Sequence, residues 1–114
     1  MKIGIIGAMQ MEVDNLKEAM ENQSVEVVSG ISFVSGNVGD VEVVVAMCGV
    51  GKVFAAICAE AMILKYNPDM VINVGVAGTL TKDLSVYDVA VATDVFQHDM
   101  DTSALGDPVG LISG

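Results

Sequence analysis

The chain has 114 residues, 53% of them hydrophobic, and fifteen acidic residues against five basic ones give a formal charge of −10. That is enough apolar mass for one core and one domain, and the acidic balance argues against nucleic acid as a ligand, which calls for a basic face. All the basic residues are lysines, so nothing here offers an arginine clamp for a phosphate.

The mean hydropathy of +0.61 is high for a soluble protein. A sheet covered on both faces gives such a composition, because its strands read as continuous apolar runs. A membrane span needs about 20 consecutive apolar residues, and Glu42, Lys52, Glu60 and Lys65 interrupt the candidates. Met1–Ile6 begins a strand at once, which leaves no room for a secretory signal and points to the cytoplasm. Cys48 and Cys58 lie in apolar surroundings and read as reduced core thiols rather than a disulfide. No Cys/His cluster has the spacing of a structural metal site.

In chain order, Lys2–Ile6 reads as a strand, followed by the turn Gly7-Ala8-Met9 and by Glu12 where a helix should start. Met11–Met20 reads as that helix, with Met11, Leu16 and Met20 on one face and Asp14, Lys17, Glu18 and Glu21 on the other. Val25–Val28, Ile31–Ser35 and Val41–Met47 read as strands, separated by Gly30 and by a turn of Asn37, Gly39 and Asp40. Gly49-Val50-Gly51-Lys52 turns into a helix from about Val53 to Tyr66. That helix is apolar nearly all round and is expected to be buried against the sheet, and Asn67-Pro68-Asp69 ends it. Met70–Val74 and Val86–Thr93 read as further strands, and past Gln97 the pattern fades.

The order β-α-β-β-β-α-β-β is that of a mixed α/β sheet, with at least three strands made parallel by the crossovers. The chain stops after a loop with no closing helix, so residues 1–114 are read as part of a larger domain.

Two strand ends carry the chemistry. Met70–Val74 runs into Gly75-Val76-Ala77-Gly78, and glycines at such a position let backbone approach a ligand. The first strand ends in its own Gly turn and is followed by the Glu12 carboxylate, so the two read as walls of a small-molecule site. On pattern alone, Glu12 reads first as an acid in a first helical turn, favoured by the helix dipole, ahead of a catalytic base. Lys52 reads as a solvated helix-start residue and His98, beside Asp99 and Asp101, as structural. Gly4-Ile5-Ile6-Gly7 lacks the full Gly-x-Gly-x-x-Gly of a dinucleotide-binding turn.

Met-Lys-Ile-Gly-Ile-Ile-Gly-Ala-Met at 1–9, Glu12, Gly-Val-Gly-Lys at 49–52, Asn-Val-Gly-Val-Ala-Gly at 73–78 and His98-Asp99 together resemble the 5′-methylthioadenosine/S-adenosylhomocysteine nucleosidase family. That family belongs to the purine nucleoside phosphorylase and uridine phosphorylase superfamily. The motifs fall in the family's order and spacing over the whole chain, which corresponds to its N-terminal half. The resemblance implies a nucleoside phosphorylase-like fold, a mixed central sheet flanked by helices and incomplete at the C-terminus. It implies hydrolysis of the N-glycosidic bond of methylthioadenosine and adenosylhomocysteine, with release of adenine and with neither cofactor nor metal.

By the same resemblance, Glu12 is the carboxylate that activates the attacking water. Met9 and Val50 line the ribose side, and Gly78, Ala77 and Val76 lie along the nucleoside, although many members have Ser where Val76 stands. A homodimer is implied, with the segment Thr102–Leu105 reaching toward the neighbour's pocket. The half beyond this chain supplies the acid that protonates the leaving purine, a Met-Glu pair on the ribose and an aromatic on the base, so a complementary C-terminal half is an expected partner. The alternatives are a phosphate-dependent nucleoside phosphorylase, which the absence of arginine disfavours, and a non-catalytic fragment that self-associates.

Overall fold

Alternation along the central strands decides the layers. In β1 (Lys2–Gly7) and β4 (Val41–Met47), Ile3, Ile5, Val43 and Val45 point to one face, and Ile6, Val44 and Ala46 to the other. The computed structural model describes residues 1–112 and divides into two compact units, Met1–Gly78 and Thr79–Gly114.

The first unit holds a five-stranded sheet of order β2-β3-β4-β1-β5, with β2 (Glu21–Val28), β3 (Ile31–Val38) and β5 (Met70–Val74). β1 runs parallel to both β4 and β5, and β2-β3 and β3-β4 are antiparallel pairs. The three parallel strands expected from the crossovers are therefore β4, β1 and β5. Gly7 pairs with Met47 on one side and Val74 on the other, so the loops that follow all three strands leave from one edge of the sheet.

Helix α1 (Gln10–Glu18) covers one face. Val13, Met20, Val34, Val43 and Val45 form the core there, with Ile3 and Ile5 packed against it. Helix α2 (Lys52–Tyr66) covers the other face, over Ile6, Phe33, Val44 and Ala46.

The expectation that α2 is buried all round is corrected. Only its Cys58 and Met62 are buried, with Ala55, Ala59, Ala61 and Tyr66 partly so, a stripe at helical spacing. Val53, Phe54, Ile57, Ile63 and Leu64 stay exposed, because a single helix on a sheet covers one stripe and no second layer lies over it in this unit.

The expected strand Val86–Thr93 is also corrected. Ser85 N–H donates to Asp88 Oδ2 at 2.7 Å and Asp88 N–H to the Ser85 carbonyl at 3.1 Å, which closes a turn. Tyr87 sits at φ 75°, outside the extended region, and Val89 and Val91 remain exposed with no pairing strand among the described residues. An apolar run becomes a strand only where an adjacent edge takes up its backbone groups. Elsewhere in the second unit a short 3₁₀ turn spans Ser103–Leu105, tied down by Thr102 Oγ1 donating to Asp107 Oδ2 at 3.0 Å. Ser113 and Gly114, the end of the span on which the resemblance was drawn, lie outside the described residues.

No helix among the described residues is long and apolar enough to cross a membrane. Cys48 and Cys58 are free and buried.

Candidate active site

Glu12 stands at the third position of α1, just beyond the C-terminal end of β1. Its carboxylate reaches back to the start of its own helix, where Met9 N–H donates to Oε2 at 2.8 Å. This is the carboxylate half of a capping box, and alone it would be an ordinary helix start. The second oxygen does something else. Val76 N–H, in the loop after β5, donates to Oε1 at 3.2 Å. One carboxylate thus ties together the two strand-end loops that the sequence marked as walls of a site.

Backbone closeness makes this possible. A Cβ added to Gly7 would lie 2.6 Å from Val13 Cγ1 and 3.2 Å from Glu12 Cβ, so no side chain fits between β1 and the first turn of α1. On the third strand end, Cys48 N–H donates to the Gly7 carbonyl at 2.9 Å, which joins the loop after β4 to the same edge.

The electrostatics follow from these contacts. The Met9 amide, then the Val76 amide, with a smaller effect from Ala8, hold the Glu12 carboxyl below its ordinary value of 4.5. Hydrogen bonds to the charged form favour it, so Glu12 is ionised at neutral pH and able to accept a proton. Burial chiefly, and then the Glu12 charge, push the neighbouring Cys48 thiol up, and that thiol donates to the Gly49 carbonyl at 3.0 Å. Cys48 is therefore a protonated thiol at neutral pH.

The other residues singled out from sequence fall on the same sheet edge. Met9 is the residue before α1 and contributes its amide. Val50 lies in the loop between β4 and α2 and is exposed, as are Val76, Ala77 and Gly78. Open space surrounds Gly78, where an added Cβ would meet nothing within 4 Å. His98 is exposed within the second unit. Among the described residues no three His, Cys, Asp or Glu side chains gather as a metal-binding group would.

The sequence pattern marked Gly75 as a glycine that lets backbone approach a ligand, not as a neighbour of Glu12. Its closeness to Glu12 is a contact across the sheet, and the sole signal for it was its place ahead of Val76 in the Gly-Val-Ala-Gly loop.

The profile of the Phosphorylase superfamily matches residues 2–113. The chain belongs to that superfamily. A curated relative from Shewanella piezotolerans, a 5′-methylthioadenosine/S-adenosylhomocysteine nucleosidase, is 46% identical over 110 residues, covering 96% of this chain and 48% of the relative. A crystal structure of such a nucleosidase from Colwellia psychrerythraea, in complex with adenine, superposes with a TM-score of 0.96 at 38% identity, covering 98% of this chain and 46% of that one. The Neisseria meningitidis nucleosidase in complex with methylthio-immucillin-A superposes at 0.93 with 37% identity, covering 97% and 48% of the two chains. The fold is thus nucleoside phosphorylase-like, as the motifs implied, and the chain spans about half the length of the curated relatives it matches.

Proposed function

We propose that this chain is the part of an N-glycosidic nucleosidase that carries the general base, acting on 5′-methylthioadenosine and S-adenosylhomocysteine. The observation that carries the reading is the Glu12 carboxylate, ionised and held by amides from two loops at the C-terminal edge of parallel strands. Ligands of open α/β sheets bind at that edge. The relatives' bound adenine and nucleoside analogue support the same substrate class.

In the proposed reaction the C–N bond between ribose and purine breaks and its electron pair leaves with the purine. A water oxygen bonds to the anomeric carbon, and Glu12 takes the water's proton. A depressed pKa is tolerable in such a base. Water bonding to an oxocarbenium-like carbon becomes strongly acidic, so a weak carboxylate base suffices if it is well placed. Val76, Ala77 and Gly78 line the nucleoside, where small residues and open space admit a flat base. Met9 and Val50 border the ribose. The proton for the departing purine comes from a group outside this chain, in the complementary half that the family resemblance implies. A leaving-group acid of this kind contributes ~10²–10⁴-fold.

The proposed assembly is a homodimer in the cytoplasm. The exposed apolar residues Val53, Phe54, Ile57 and Leu64 on α2 support it, since contiguous apolar surface marks contact sites.

Phosphate dependence tests the reaction class. With a complementary C-terminal half present, adenine release from methylthioadenosine proceeds at the same rate with and without phosphate. A strict requirement for phosphate would make the enzyme a phosphorylase instead.

A further inference from the structure

The three atoms nearest to a Cβ built on Gly75 all belong to Glu12. They are Oε1 at 2.9 Å, Cδ at 3.4 Å and Oε2 at 3.7 Å. A carbon that close to a carboxylate oxygen is a steric conflict, so one of the two must shift. Gly75 does not need to be glycine for its own backbone, because its φ lies outside the left-handed region that favours glycine. The nearest occupant of the space that its missing side chain leaves is the Glu12 side chain. Gly78, three residues on, has open space instead.

We propose that Gly75 is the positioning residue for Glu12: by lacking a side chain, it lets the end of β5 lie against the carboxylate, so that Val76 N–H fixes Oε1. Met9 N–H holds Oε2 from within α1 whatever β5 does. The Val76 bond, by contrast, depends on how near β5 approaches. A carboxylate pinned at both oxygens presents its remaining lone pairs in a single direction, which is what a base poised over an anomeric carbon requires. The catalytic part of this inference rests on Glu12 being the base; the positioning part does not.

The test is read from backbone amides, not from turnover. In the ¹⁵N-labelled chain titrated through the carboxylate range, the Met9 and Val76 amide signals both follow Glu12, with a midpoint below the ordinary 4.5. The Cys48 thiol, which the Glu12 charge helps to push up, titrates above that range.

In Gly75→Ala, the Val76 signal stops following Glu12, the Met9 signal continues, and the midpoint rises toward 4.5. In Gly78→Ala the Met9 and Val76 amides still follow Glu12, because an added Cβ there meets nothing within 4 Å. A Val76 signal in Gly75→Ala that still titrates with an unchanged midpoint overturns the proposal.

Should Gly75→Ala fail to fold, the double variant Gly75→Ala/Glu12→Ala decides. It folds if the conflict is with the Glu12 side chain, and its failure to fold places the conflict elsewhere and overturns the proposal. Full activity in Glu12→Gln would defeat the base reading while leaving these amide results standing.

Discussion

Glu12 Oε1 accepts the Val76 amide at 3.2 Å across a separation of 64 residues, the longest-range bond made by the Glu12 side chain. It couples the first turn of α1 to the loop after β5, so acidity, stability and the proposed chemistry all depend on this carboxylate.

Stability should therefore depend on acid in a defined direction. The folded Glu12 carboxyl titrates below 4.5, so the folded state binds fewer protons than the unfolded one in that range. Its stabilisation is present above 4.5 and is lost as pH falls through the folded value. Glu26, held down chiefly by its hydrogen bond from Lys65, adds a loss in the same sense. Urea midpoints measured against pH should fall on acidification, and Glu12→Gln should flatten part of that fall. An identical pH profile in Glu12→Gln would show that the two amide bonds do not favour the charged form.

Cys58 gives the opposite slope at alkaline pH. Burial, and secondarily Cys48, push its thiol up to about 11 from an ordinary 9.0. Its contribution is intact below 9.0 and is lost as pH rises toward about 11, because the unfolded thiol ionises first. Iodoacetamide at about pH 9 should label Cys58 slowly in the native chain and readily in urea. Equal rates in the two conditions would mean that Cys58 is not in the core.

The α2 face of the sheet is held by Phe33, which is fully buried with its ring centroid 5.4 Å from that of Tyr66. Phe33→Ala should cost ~3–5 kcal/mol in urea denaturation. Val25→Ala, on the exposed outer strand β2, should change stability by less than about 0.5 kcal/mol. Similar costs for the two would contradict the placement of this core.

Light scattering tests the proposed assembly. The exposed stripe on α2 predicts a dimer or larger species, and a stable monomer of 11.8 kDa at high concentration would contradict it.

Much of this architecture was legible in the residues. β5 was bounded as it stands, β1 to within one residue, and α2 to within one residue at its start. These elements are closed by turn chemistry that acts locally: Gly7, the Gly49–Gly51 turn and Asn67-Pro68-Asp69. β2 and β3 run longer than expected, Glu21–Val28 and Ile31–Val38, because pairing between them holds Asn37, which pattern alone assigns to a turn, and Glu21, which it assigns to the polar face of the preceding helix. The exposed side of α2 was hidden because a helix apolar all round does not say which stripe meets the sheet. Val86–Thr93 misled because its valines suit a strand, whereas the Ser85–Asp88 turn and the absence of a pairing edge decided otherwise. The position of Glu12 at a helix start was readable, but its bond to Val76 and the room left by Gly75 exist only once β1 and β5 are side by side.

The most direct test of Glu12 as the base is adenine release from methylthioadenosine by the chain joined with a complementary C-terminal half, compared with Glu12→Gln in the same complex. The substitution keeps the shape of the side chain and removes its capacity to take the water's proton. Turnover should fall by ~10²–10⁴-fold, while nucleoside binding, measured separately by calorimetry, is largely retained. Undiminished adenine release by Glu12→Gln would remove Glu12 from the chemistry and contradict the account.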